Sequence, residues 1–424
     1  MSNGKSMLSN FEMELQDFEI RQIRKFDSIW KIKFGGSISS VPIVEDNTIY
    51  FGAWDWYVYA LKAKDGSVKW KFKGDGSFVL GQLLDNGIIY AGSYNGTFYA
   101  IDAATGKELW RFRAGDQIFS VPCSHRNSVY FGCKNGFLYC LNKRTGKELW
   151  RFRTGDCIAS SPVIYKDSVL IGSFDGYLYQ LDAMNGKEIW RFKTGGEIYN
   201  SYPFTLYGNV LYFSSFDNYL YAIDLNAKRV RWRFKTGEYG NAGCPLATDK
   251  EVFHGSRDGI MYAIDKETGE EIWRFKISIS ELIATLPVLS KGILYFGAGD
   301  HNVYALDQET GKELWRFRCG GPVYEGLTMS DGILYIGSYD CHMYAIEIKT
   351  SKEMWRFVTS TSQQSELPPP YESFDFVVKK TISEEEAEEN EKYGFDISQT
   401  LRDEYSVKSE YSFKSEYQTR SEYR

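Results

Sequence analysis

The chain of 424 residues contains no run of 18 or more apolar residues, so no membrane-spanning helix is expected. Its opening segment, MSNGKSMLSNFEMELQDFEIRQIRKFD, lacks an apolar stretch of signal-peptide length, so secretion is not expected either. Histidine is scarce: His125, His254, His301 and His342 are the only four, and they lie far apart with no metal-ligand spacing. The seven cysteines include no adjacent pair and no Cys-x-x-Cys. No Gly-rich phosphate loop precedes a helix, and no nucleophile elbow occurs. The formal net charge of −6 argues against a dedicated nucleic-acid binder.

Aromatic residues, by contrast, make up 17% of the chain, alongside 39 glycines. This combination predicts many short aromatic strands joined by tight turns. Tryptophan recurs at 30, 70, 110, 150, 190, 232, 273, 315 and 355, a period of 40 to 42 residues. Nine in-phase tryptophans enclose eight complete units, the mark of a solenoid or a propeller. One unit, residues 155–192, divides into SSPVIY, SVLIGS, YLYQLDA and KEIWRF. The intervening turns are Lys166-Asp167, Phe174-Asp175-Gly176 and Asn185-Gly186, and Asp-Gly and Asn-Gly supply the positive φ of tight hairpins. No segment has the length or the 3.6-residue period of a core helix. The chain therefore reads as all-β, an eight-bladed propeller of four-stranded antiparallel blades, labelled A to D from the axis outward. Small residues such as Ser39-Ser40 and Ser160-Ser161 suit the crowded axis. A proline follows in six units, with Gln82 and Leu327 near the same place in the other two. In strand D, Trp and Phe alternate with cations, so one face packs on a neighbouring blade and the other meets water.

The phrases YAIDAATGKELWRF (99–112), YAIDKETGEEIWRF (262–275) and YALDQETGKELWRF (304–317) resemble the repeat of pyrroloquinoline-quinone-like β-propellers. The resemblance covers about residues 30–358 and implies the propeller fold. That family includes quinoprotein dehydrogenases, a barrel-assembly lipoprotein, and sensor or scaffold domains without quinone. The dehydrogenases hold the quinone beside a vicinal disulfide and a calcium ion. The vicinal cysteines are absent from this chain, and no quinone contact maps onto it. The resemblance therefore implies neither quinone nor Ca²⁺ as cofactor. Three regions follow: an extension (1–29), the propeller (30–358) and a tail (359–424). Because such rings join both termini in one blade, the Trp30 strand is expected to close the eighth blade, with the Trp355 segment outside it.

Two connections of each blade, the B–C turn and the D–A loop, should share one face of the disk. The B–C turns repeat Asp55, Asn95, Asn135, Asp175, Asp217, Asp258, Asp300 and Asp340 at one position. Asp and Asn belong in such turns for local backbone reasons. The D–A loops add Asp75, Asp116, Asp156, Glu197, Glu238 and Glu281, which turn geometry does not demand, so an acidic face able to attract a basic partner is expected. Trp54 and Trp56, the two tryptophans outside the repeat position, stand in a B–C turn and are candidate interface anchors, unless they pack on the adjacent loop. The central funnel near Asn200, Asn241 and Glu325 is a candidate small-ligand site. His254 replaces Phe51, Phe131 or Ile171 of its sister units and is expected as a satisfied core histidine. Cys133 and Cys140 replace Ser or Ala and are expected as buried thiols in a reducing cytoplasm.

The segment from residue 359 carries 15 acidic and 8 basic residues, net −7, which leaves the rest at +1. It begins near LPPP (367–370), contains SEEEAEENE (383–391) and ends in four copies of Glu-Tyr with a period of six. Tyr405, Tyr411, Tyr417 and Tyr423 would share one face of an extended strand. Such a segment is expected to be disordered, and its repeats could act as a multivalent docking tag. These features predict a non-catalytic cytoplasmic scaffold that binds other proteins, with neither nucleic acid nor membrane as partner. The alternatives are a quinone-dependent dehydrogenase, a small-ligand sensor and a barrel-assembly relative.

Overall fold

The computed structural model describes residues 36–200, 202–237, 243–277 and 281–359. Thirty-two strands, numbered β1 to β32 along the chain, form eight four-stranded sheets in which each strand hydrogen-bonds to its neighbour in sequence. The first blade is β1 (Ile43–Glu45), β2 (Thr48–Gly52), β3 (Tyr57–Lys62) and β4 (Val68–Lys73); the last is β29 (Leu327–Ser330), β30 (Ile333–Gly337), β31 (His342–Glu347) and β32 (Lys352–Val358). The blades are antiparallel meanders, and the described residues contain no helix. The unit dissected above folds as read: its strands are Val163–Tyr165, Ser168–Gly172, Tyr177–Asp182 and Glu188–Lys193. Its turns place Lys166, Gly176 and Gly186 at φ of 54°, 80° and 70°.

Three repeated contacts hold blade to blade and strand to loop. The serine before each inner strand fastens its loop to strand B. The Ser160 hydroxyl donates to the Gly172 carbonyl and accepts from the Gly172 N–H at 3.0 Å, and Ser40 and Ser120 do the same with Gly52 and Gly132. At the rim, the indole N–H of the strand-D tryptophan donates to a carbonyl of the next blade at six of the blades, among them Trp70 to Ala103 at 3.0 Å, Trp110 to Lys143 at 3.0 Å and Trp273 to Gln308 at 2.9 Å. The same indole lies on the glycine of the next blade's C–D turn. A Cβ on Gly106 would come within 2.7 Å of Trp70, and one on Gly146 within 2.5 Å of Trp110. Between these contacts, alternate apolar residues of facing strands fill one core per blade interface.

Ring closure departs from the expectation. Trp355, not Trp30, occupies the outer strand of the eighth blade, because β32 pairs with β31 as an ordinary hairpin neighbour. Its indole donates to the Ala63 carbonyl of blade 1 at 3.0 Å and covers Gly66. Blades 8 and 1 share a core that includes Ile38, Phe51, Tyr59, Tyr335 and Met343. The Ile38 N–H donates to the Ser338 carbonyl at 3.1 Å. Trp30 lies outside the described residues.

Candidate functional site

The recurrent B–C aspartates are consumed by the fold. Asp175 accepts from the Tyr177 N–H at 2.9 Å, the Tyr179 hydroxyl at 2.7 Å and the Gly155 N–H at 2.7 Å. Asp217 repeats the set with Tyr219, Tyr221 and Gly195 at 3.0, 2.6 and 2.8 Å. Each such side chain closes its own turn, caps a strand-C tyrosine and ties down the D–A loop, so the two connections do adjoin on one face.

The D–A acids differ among themselves. Asp75 is a structural residue: Tyr99 and Thr97 donate to it, and Arg113 lies 3.4 Å away. Burial opposes its charge, but hydrogen bonds from Tyr99, Asn95 and Thr97, with the Arg113 charge, hold its carboxyl below the usual range. Asp116 accepts from the Gln117 N–H at 2.7 Å, and the exposed Asp156 accepts from the Cys157 N–H at 2.7 Å. Glu197 and Glu281 are half-buried on the same face. Glu238, Asn241 and the tail tyrosines Tyr405, Tyr411, Tyr417 and Tyr423 lie outside the described residues.

Trp54 is not an exposed anchor. It is 6% exposed and packs its ring 5.7 Å from that of Tyr94, with its indole N–H left without a partner. Trp56 is half-buried and stands at φ 72°, the position its sisters fill with Gly96, Gly136 and Gly176. The cause of the Trp54 burial is an arc of rings around the axis. Tyr94 lies 5.4 Å from Phe119, Tyr199 lies 6.1 Å from both Phe174 and Phe216, and Tyr324 lies 5.3 Å from Tyr339. The Arg257 guanidinium sits 5.6 Å from the Phe216 ring centre.

Beneath the arc the axis is plugged. Leu80, Val121, Tyr202 and Cys244 pack together with Val41, Phe119 and Leu286, side chains from six of the eight blades. Glu325 completes this floor, 5% exposed, at the position where other blades carry Ser40, Leu80, Ser120, Ser160, Asn200, Gly243 and Thr285. The Tyr202 hydroxyl donates to its carboxylate across the ring, from blade 5 to blade 8. Burial pushes the Glu325 carboxyl up to about 7, against the opposing pull of the Tyr202 and Tyr339 hydroxyls. The sequence signal for this site was available in Glu325, the one acidic residue in a column of mostly small residues.

His254 is buried in the core as expected, but it is not satisfied: neither ring nitrogen has a partner, and burial lowers its pKa to about 3. It occupies an inward strand-B position that the sister blades fill with Phe51, Ala91, Phe131, Ile171, Phe213, Phe296 and Ile336, and apolar walls offer it nothing. Cys133 and Cys140 are buried, and all seven cysteines are free thiols.

The rim carries a feature the sequence reading passed over. The strand C–strand D pairing shifts register in every blade. In blade 2, Ala100 pairs with Trp110 and Ile101 with Glu108, so Leu109 is the extra residue of a β-bulge. The corresponding residue is aliphatic in six blades: Leu109, Leu149, Ile189, Ile272, Leu314 and Met354, all 46–51% exposed. Blades 1 and 5 have Lys69 and Arg231 there. Two residues on, an arginine lies over a strand-C aromatic ring and pairs with a glutamate of its own strand, as Arg316 does with Tyr304 and with Glu313 at 2.6 Å. The alternation Leu-Trp-Arg-Phe already put these aliphatics on the water side; the bulge was the hidden part.

No curated protein sequence matches the chain significantly. Among solved structures, BamB from Moraxella catarrhalis is similar at 20% identity and a TM-score of 0.65, over 71% of this chain and 94% of that one. The computationally designed Ika8 protein aligns at 19% identity and 0.63, over 72% and 94%. The quinohemoprotein alcohol dehydrogenase of Comamonas testosteroni aligns at 14% and 0.63, over 74% and 71%. At these identities the likeness is one of fold. The family model described as outer membrane protein assembly factor BamB matches residues 76–275 and 257–386. With its eight blades and its repeated Tyr-Ala-Ile-Asp and Trp-Arg-Phe phrases, the chain belongs to this family of PQQ-like β-propellers.

Proposed function

We propose that this propeller is a non-catalytic platform that binds other proteins through its rim. The observation that carries the reading is the bulged aliphatic residue repeated on six blades, half-exposed and next to an arginine. A lone surface leucine needs no explanation, but the same bulge re-aims the same kind of side chain outward around the disk. The fold does not need it, since Lys69 and Arg231 serve at the same place. The rim arginines are engaged with glutamates, which fits a protein partner better than nucleic acid. The acidic face, with Asp116, Asp156, Glu197 and Glu281, and the acidic tail add attraction and avidity.

The residues at the axis do not fit pyrroloquinoline quinone. That group carries three carboxylates, and here it would meet a carboxyl and phenol hydroxyls. Among the described residues no three His, Cys, Asp or Glu side chains gather as metal ligands. We therefore derive no step through a quinone. A cytoplasmic setting belongs to the same proposal, supported by seven free thiols. A second reading, a part in outer-membrane protein assembly, is favoured by the family model; it too works by protein binding.

The test replaces Leu109, Leu149 and Leu314 together with Ser. Partners captured from a lysate by the wild type should be lost, while the melting temperature moves by no more than about 2 °C, as for exposed substitutions. Identical capture by the variant would overturn the rim as the binding surface.

A further inference from the structure

We infer that the central funnel is a binding site for an organic cation, an alkylammonium or alkylguanidinium group, with Glu325 as its counter-charge. The inference is independent of the rim. It begins from a residue that the fold does not require. Where other blades use serine to fasten the inner loop to strand B, blade 8 points a carboxyl at the axis. Burying a carboxyl is costly unless a cation pairs with it. Among the described residues none does: the groups that act on Glu325 are the hydroxyls of Tyr202 and Tyr339.

The surroundings suit a cation better than any other guest. The arc above the floor is built of aromatic rings, a side-chain class whose π-systems attract ammonium and guanidinium groups. The molecule already seats one guanidinium in this way, Arg257 beside Phe216. The D–A acids on the same face raise the local concentration of cations. Leu80, Val121 and Leu286 pack with Tyr202, the tyrosine that binds Glu325, so the carboxyl is bordered by apolar side chains that suit a short alkyl stem. Lysine and arginine side chains and free small amines share this chemistry.

Calorimetric titration of the full chain with butylammonium, butylguanidinium and end-blocked Gly-Lys-Gly and Gly-Arg-Gly tests the proposal. At least one probe should bind, and Glu325→Gln should weaken it by about tenfold or more, the loss expected when one partner of a buried charge pair is removed. Glu325→Asp should retain part of the affinity. Binding should tighten from pH 6 to pH 8 with release of a proton, as Glu325 ionises among Tyr202, Tyr339 and Cys244, the titratable groups that face it. The triple rim variant should bind the same probes unchanged. Binding of the peptides alone would assign the site to a protein side chain, and binding of the small cations as well would make it general; both support the cation site. No binding by the wild type at millimolar probe, or equal binding by a folded Glu325→Gln protein, would overturn it and leave the rim proposal standing.

Discussion

A buried histidine with two unpartnered nitrogens is a local defect that pH should expose. His254 is neutral in the folded state because burial drops its pKa to about 3, whereas the unfolded chain titrates near 6.5. As the pH falls from about 6.5 towards 3, the unfolded state takes up a proton that the native state refuses, so stability is lost across that window. Glu325 works with the opposite sign. Its folded pKa, near 7, exceeds the ordinary 4.5, so the native state holds the extra proton and stability falls as the pH rises from about 4.5 to 7. His254→Phe copies Phe213 and Phe296 of sister blades and removes the unpaired nitrogens. It should stabilise the protein at neutral pH by about 1–3 kcal/mol and reduce the slope on the acid side. Denaturant midpoints measured from pH 4 to 8 check both, and an unchanged slope would mean that His254 is not the titrating group. Trp56 is the other misfit residue. A bulky side chain at φ 72° stores about 1–3 kcal/mol of backbone strain. Trp56→Gly, the residue at the same turn in blades 2, 3 and 4, should therefore raise the midpoint by about 1 kcal/mol. A drop would show that the packing of the indole outweighs the strain.

At the scale of the element, the unit of cohesion is the tryptophan of one blade seated on the glycine of the next. Gly66 has φ 69° and faces Trp355, so an added methyl would meet both backbone strain and an indole at 2.7 Å. Gly292, at φ 75° with nothing within 4 Å, would meet the strain alone. Gly292→Ala should cost about 1 kcal/mol, and Gly66→Ala at least about 2 kcal/mol, by urea unfolding. Equal losses would place the energy in the turn rather than in the blade interface. These elements were largely legible in the sequence because turn chemistry is local: Asn185-Gly186 and Asp175-Gly176 announce their hairpins to any reader. The bulge at Leu109 was not legible, because an extra residue in strand D leaves the alternation of the strand intact and shows only in the register against strand C. Trp54 misled for a related reason. Its exposure depends on Tyr94, forty residues away, and on the arc that Tyr94 and Phe119 continue.

The ring as a whole poses a problem that no local pattern could solve. Trp30 and Trp355 both stand in phase with the repeat, and either could have served as the outer strand of the last blade. The decision falls to Trp355 because β32 follows β31 directly and pairs with it without a long closure of the chain. The consequence is a seam of a particular kind. Among the described residues no strand from one end of the chain completes the other end's sheet, and blades 8 and 1 meet through side chains and loops, as neighbouring blades do elsewhere. Trp355 donates to Ala63, Ser37 to the Tyr339 carbonyl at 2.9 Å, and Thr359 to the Gly36 carbonyl. The described ring spans residues 36–359, and each boundary can be tested separately. A chain that begins at Gly36, or one that ends at Thr359, should melt within about 2 °C of the full protein, because every seam contact among the described residues is retained. Ending the chain at Thr350 removes β32 and with it Trp355 and Phe357, which cover Phe51 and Tyr59 of blade 1. That truncation should destroy the cooperative transition and expose apolar surface prone to aggregation. A marked loss of stability on removing residues 1–35 alone would return a closing role to the Trp30 segment, and survival of the chain ending at Thr350 would show that seven blades and a broken eighth suffice.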